Sequence, residues 1–177
     1  VWDEQQPAQK KAYPEFLGNE IAAYLSKQPG LKVTSSRIDD PGQGISDEQL
    51  SAHDIIIWWG HVRHREIPEA SGQRIVKQIQ AGKVSLIALH SAHWSVPFIE
   101  AMNQRSIDDA LATLSEVERK TARIEAIRPK QYTPPAKDAK LTPSVEKSIG
   151  GDGKVTLKIE LPNCCFHAYR PDGKPSH

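Results

Sequence analysis

Two histidine pairs, His61/His64 and His90/His93, share one local pattern: each follows a strongly apolar run. Asp54-Ile55-Ile56-Ile57-Trp58-Trp59-Gly60 leads into His61-Val62-Arg63-His64. Val84-Ser85-Leu86-Ile87-Ala88-Leu89 leads into His90-Ser91-Ala92-His93-Trp94-Ser95. If both runs are buried parallel strands, both pairs fall at strand carboxyl ends, the edge at which open α/β sheets bind ligands. Imidazole titrates near neutral pH and is the commonest metal ligand. The pattern therefore points to a metal site, an acid–base site, or both. Two such pairs at one edge supply about two or three ligands to a divalent metal, and zinc best suits imidazole and carboxylate donors. Neither a His-Glu-x-x-His motif nor a cysteine ligand set reinforces the metal reading. The competing role for these histidines is to cap helices and pack beside tryptophan.

Other residues near these segments bear on the same chemistry. Asp3 and Glu4 end the first expected strand, and a carboxylate there serves as ligand, general base or orienting partner of an imidazole if that strand is central. Otherwise they are solvated loop acids. Ser91 follows a strand and precedes an expected helix, the place of a nucleophile elbow in hydrolase-like α/β folds. Its flanks are His90 and Ala92 rather than glycines, so a hydroxyl that caps the helix or bonds a substrate is expected instead. Trp58, Trp59 and Trp94 border the histidines, and indole faces stack on sugar rings. Trp58 and Trp59 must point to opposite faces of their strand, so at least one belongs to the core. Arg63 and Arg65 are candidates to hold an anionic or hydroxyl-rich ligand. Cys164 and Cys165 are adjacent, which leaves no loop-closing disulfide framework and reads as buried, reduced thiols.

These residues need a scaffold, and the chain carries the marks of one. Its 177 residues are 38% apolar and 25% charged, enough for a real core. A net charge of +1 gives no reason to expect nucleic acid or an anionic membrane as partner. No apolar stretch approaches the roughly 20 residues of a membrane span. Both ends read as cut, so the domain is expected to be incomplete at both. Residues 1–4 read as the tail of a strand. Tyr13 to Lys27 has helical apolar spacing and stops at Pro29-Gly30. Leu31 to Ile38 alternates as a strand, and Ser46 with Gln49 forms a capping box. Ile55 to Trp59 and Val84 to Leu89 read as strands buried on both faces. Ile67 to Gln80 and Val96 to about Leu114 read as helices. This alternation is the α/β pattern. After Ser115 the pattern changes. Glu116 to Arg128 is charged and reads as helical, Pro129 to Pro143 as an extended arm. Val155 to Leu161 alternates as a strand with one wet face, after the turn Gly150-Gly151-Asp152-Gly153. Tyr169 to Lys174 reads as a turn.

Val1-Trp2-Asp3-Glu4, Ile57-Trp58-Trp59-Gly60-His61-Val62-Arg63-His64 and Leu89-His90-Ser91-Ala92-His93-Trp94-Ser95, in their spacing, resemble the ThuA-like (trehalose utilisation) family. The resemblance spans roughly the first hundred residues. It implies an α/β fold: a flavodoxin-like, class I glutamine amidotransferase-like three-layer sandwich with a mostly parallel sheet. The charged, Pro-rich segment 115–154 is then an insertion or arm. It implies action on trehalose-type disaccharides or their 3-keto derivatives, with a functional link to a sugar dehydrogenase; the reduced cysteines suit a cytoplasmic protein, and the charge balance and hydropathy point to no nucleic-acid or membrane partner. A homo-oligomer is compatible with it. The amidotransferase nucleophile position falls near His90-Ser91, where no cysteine stands, so glutaminase activity is not expected. The resemblance also implies a divalent metal, zinc, held by His61, His90 and His64. His61, His90, His93 and Glu4 are then the expected catalytic residues, and Trp59, Ser91, Trp94 and Arg63 the expected substrate contacts. The enzymatic possibilities are keto-sugar hydrolysis, elimination or isomerisation. The alternative is a non-catalytic carbohydrate-binding or regulatory module on the same fold.

Overall fold

A computed structural model describes residues 1–60, 62–129 and 142–162, with the side chains of His64 and Ser91 left out. The chain divides into two compact units, Val1–Ala101 and Met102–His177.

In the first unit, β1 (Trp2–Asp3), β2 (Ser36–Arg37), β3 (Ile55–Trp59) and β4 (Ser85–Ala88) form one sheet in the order β2-β1-β3-β4. Every pairing is parallel. Helices α1 (Leu17–Leu25), α2 (Asp47–Ser51) and α3 (Glu69–Gln80) alternate with the strands. The α/β expectation holds, and the strand order is compatible with a flavodoxin-like layout. After β1 the chain moves outward to β2, then crosses back over β1 to β3. The point of reversal lies between β1 and β3, and the crevice at their carboxyl ends is the default ligand position in such sheets.

Trp2 and Trp58 are in register and stack with ring centroids 3.6 Å apart. With Ile56 they bury one sheet face against Leu50 of α2 and Ile75 of α3. Ser46 and Gln49 complete the expected capping box at the start of α2. The opposite face receives α1 through Asp3, whose Oδ2 accepts the Gly18 N–H at 2.7 Å. This contact explains the glycine: a Cβ at position 18 would lie 2.5 Å from the Asp3 Cβ.

Three local expectations are revised. The helix expected from Tyr13 starts at Leu17, because Phe16 takes φ +66° and breaks the helical run. The strand expected over Leu31–Ile38 shrinks to Ser36–Arg37, since β1, its one partner among the described residues, offers two residues of ladder. β4 is not buried on both faces. Among the described residues it is the last strand of its sheet, and Ser85 and Ile87 are exposed.

Helix α4 (Val96–Ala112) begins in the first unit and ends in the second. The second unit adds α5 (Glu116–Thr121), β5 (Arg123–Ile127), β6 (Ser144–Ile149) and β7 (Val155–Glu160). Its sheet order is β5-β7-β6, with β5 parallel and β6 antiparallel to β7. The alternation of β7 works as expected. Val155, Leu157 and Ile159 are buried with Ala110 and Leu114, while Thr156, Lys158 and Glu160 take the other face. The helix expected over Glu116–Arg128 stops at Thr121. Arg123 to Ile127 instead forms five rungs with β7, where cross-strand pairing overrides helical propensity. β6 was not anticipated within the charged, Pro-rich stretch. Residues 130–141, Cys164, Cys165 and the turn at 169–174 lie outside the described residues. Among the described residues no helix is long and apolar enough to cross a membrane.

Two outcomes are expected. Gly18→Ala should lower stability by about 1–3 kcal/mol in urea titration, because the added methyl overpacks Asp3. In the second unit, Lys147 first, then the Ser115 backbone and hydroxyl, hold the Glu118 carboxyl down to about 2. A depressed carboxylate stabilises above its ordinary value of 4.5 and loses that contribution as pH falls toward about 2. Glu118→Gln should therefore shift the urea midpoint at pH 7, and the difference from wild type should fade progressively below pH ~4.5.

Candidate functional site

The carboxyl ends of β1 and β3 are joined by a buried carboxylate. Glu4 is 1% exposed. Its Oε2 accepts the Arg63 N–H at 2.9 Å, and its Oε1 accepts the Val62 N–H at 3.0 Å and the Gln6 carboxamide. Its own N–H donates to the Trp59 carbonyl at 3.2 Å. Gly60 makes this approach possible. It adopts φ +137°, and a Cβ there would lie 2.6 Å from the Glu4 Cγ. Glu4 thus ties down the turn that follows β3, which is the turn carrying the first histidine pair.

Arg63 reinforces the same turn. Its guanidinium donates to both oxygens of Asp39 at 3.1 and 2.8 Å and both oxygens of Glu66 at 2.9 and 2.8 Å. A longer contact of 3.4 Å reaches the Glu4 carbonyl. Glu66 and then Asp39 raise the guanidinium's affinity for its proton, and the Arg63 hydrogen bonds hold both carboxyls below the ordinary range. Asp39 follows β2, so Arg63 links the ends of β1, β2 and β3. Its planar fork suits this bidentate pairing, which lysine cannot reproduce.

The second histidine pair sits on the 3-10 turn His90–Trp94 after β4. His90 is exposed and left-handed at φ +46°. Its ring meets Trp59 edge to face, with centroids 5.9 Å apart and planes at 83°. That contact is worth about 0.5–1.5 kcal/mol and restrains an imidazole that has no hydrogen-bond partner among the described residues. His93 is half-buried and tilts against Trp94 at 5.3 Å. Its Nδ1 faces the His90 carbonyl at 3.5 Å. With Nδ1 turned to that carbonyl, Nε2 has no hydrogen-bond partner among the described residues. The indole nitrogen of Trp59 is buried and lacks a hydrogen-bond partner among the described residues.

One residue beyond its last pair the β1–β3 ladder sets Glu4 opposite Gly60, and two residues beyond its last pair the β3–β4 register brings His90, the first residue of the 3-10 turn, level with Gly60. Of the expected site residues, Glu4, Trp59, Arg63, His90, His93 and Trp94 thus all lie at or just beyond the carboxyl ends of these strands. Two of them have structural duties. The polar atoms of Glu4 and Arg63 are committed to the turn. Trp58 is a core residue. Arg65 is exposed. His61 lies outside the described residues, as do the side chains of His64, which opens the 3-10 turn His64–Glu66, and of Ser91. Among the described residues no group of three or more His, Cys, Asp or Glu is placed to hold a metal ion, and of the expected zinc ligands only His90 has a described side chain. Sequence reasoning overlooked Asp39, Glu66 and Gly60. Only Gly60, a glycine closing the Trp-Trp run, left a local signal.

A cavity of about 190 Å³ opens elsewhere, at the amino ends of β1 and β3, lined among others by Val1, Thr34, Gln49, His53 and Ile56. Its histidine is fully engaged: His53 Nε2 contacts Thr34 Oγ1 at 2.7 Å, and Nδ1 contacts the Gln49 carbonyl at 2.6 Å. No protein-family model matches the chain, and no match to a curated protein is found.

Glu4→Gln keeps the size but leaves one acceptor oxygen where two served three donors. Amide hydrogen exchange at Val62 and Arg63 should accelerate, and stability should fall by about 1–3 kcal/mol. Unchanged protection of both amides would contradict the role given to Glu4.

Proposed function

We propose that the chain is a carbohydrate-active protein of the ThuA-like (trehalose utilisation) type. Its substrates are trehalose-type disaccharides or their 3-keto derivatives, and it works at the carboxyl edge of the first sheet. The observation that carries this reading is the row Glu4–Gly60–His90 at the chain reversal, flanked by Trp59, His93 and Trp94. Such an edge is the general ligand position of doubly wound sheets, and indoles beside imidazoles suit a sugar ring with exchangeable protons.

On this reading His93 is the base. Its Nε2 takes the proton from the carbon next to the 3-keto group, and the electron pair moves onto the carbonyl oxygen as an enolate. Collapse of the enolate expels the glycosidic oxygen, which receives a proton from His90. Each histidine passes through one proton transfer, and solvent resets both. Glu4 and Arg63 do not exchange protons in this scheme. They hold the turn that bears His61 and His64. A zinc ion at His61, His90 and His64 is a separate proposal: it would polarise the ketone but would need His90 neutral, so His90 would not then serve as the acid, and no step above runs through it. A non-catalytic sugar-binding or regulatory module is the second reading. One observation favours it: the buried carboxylate of the site is consumed by backbone amides.

The test is turnover of 3-keto-trehalose by wild type and by His61→Ala, His64→Ala, His90→Ala and His93→Ala, with zinc content measured on each. His93→Ala should lose about 10²–10⁴-fold in kcat, the usual worth of a positioned base. Unchanged turnover in all four variants removes the enzymatic reading. Sugar binding without turnover in wild type establishes the second.

A further inference from the structure

Three glutamines follow β1, and two are committed. Gln6 donates to Glu4. Gln9 donates to Asp3 Oδ1 at 3.0 Å and accepts the Leu17 N–H at 3.2 Å. Gln5 is different. It is half-buried, and its carboxamide has no partner among the described residues. Its backbone is left-handed at φ +52°. A side chain in that region is disfavoured and persists only where the surroundings impose it.

The surroundings do impose it. Asp3 is 0% exposed, and its Oδ1 accepts the Gln5 N–H at 2.7 Å while Oδ2 holds Gly18. The same edge carries two further left-handed residues after neighbouring strands, Gly60 at φ +137° and His90 at φ +46°. The other non-glycine residues of this kind have evident structural duties. Phe16 caps α1 beneath Lys10, and Gln43 accepts from the Trp2 indole and donates to the Glu66 carbonyl. The bond to Asp3 accounts for the bent backbone at position 5 but not for the half-buried carboxamide it carries, and side chains held in this region cluster at ligand contacts. An asparagine or glycine would sit at position 5 with less strain, so the longer carboxamide calls for its own explanation.

We propose that Gln5 is a sugar-contacting residue at the chain reversal, where its carboxamide gives one donor and one acceptor to neighbouring oxygens of a hydroxy- or keto-sugar. This rests on the carbohydrate reading above. A carboxamide is uncharged and presents a donor and an acceptor side by side in one plane, which matches a vicinal oxygen pair.

Binding of trehalose and of 3-keto-trehalose to the full chain is measured by calorimetry for wild type, Gln5→Ala, Gln5→Gly and Gln5→Asn, with urea midpoints for each. Gln5→Ala and Gln5→Gly should weaken binding at least tenfold with a midpoint no lower than wild type for Gln5→Gly, where strain is released. Gln5→Asn should recover part of the affinity. Wild-type affinity in the Ala and Gly variants overturns the assignment and leaves the carbohydrate reading standing. Parallel loss of stability and binding in every variant also overturns it, since Gln5 would then be structural. A wild type that binds neither sugar overturns the carbohydrate reading itself, and this inference with it.

Discussion

A carboxylate removed from water must be repaid in hydrogen bonds or it unfolds its surroundings. Glu4 meets that demand with the amides of Val62 and Arg63 and the carboxamide of Gln6. The arrangement dictates much of the local structure. The turn after β3 must present its N–H groups inward, and residue 60 must lack a side chain. The polypeptide must bend back over the end of β1. Where an acid at a strand end invites a catalytic interpretation, the geometry here makes it the fixed point from which a histidine-bearing turn is hung.

Its neighbour Asp3 does the corresponding work for α1. One buried acid holds the helix that covers a sheet face, and the next holds the turn at the sheet edge. Arg63 extends the network outward to Asp39 and Glu66 at the surface. The result is a rigid rim across three strand ends, while the imidazoles of His90 and His93 sit against indoles and stay free of charged partners among the described residues. Rigid scaffold and uncommitted imidazoles are what a proton-transfer site requires.

How much of this was legible beforehand follows from the range of each interaction. Ile55 to Trp59, the Ser46–Gln49 capping box and the alternation of Val155, Leu157 and Ile159 depend on neighbours in sequence, and all were readable. Glu4 meets amides 58 and 59 residues away, and Arg63 meets Asp39 at a separation of 24. No local pattern encodes either pairing, so Glu4 looked like a base and Arg63 like a ligand clamp. The strand status of Arg123 to Ile127 and Ser144 to Ile149 likewise depends on β7, which arrives later in the chain. Ser144 to Ile149 reads Ser-Val-Glu-Lys-Ser-Ile, too polar to declare itself without that partner.

The central claim is that the carboxyl edge of the first sheet, organised by Glu4, is where the molecule meets its ligand. Amide and indole NMR shifts of isotopically labelled protein titrated with 3-keto-trehalose test it most directly. The account predicts perturbation of Val62, Arg63, His90, His93 and the Trp59 indole N–H. Perturbation confined to Thr34, Gln49 and His53, at the amino-end cavity, would contradict it.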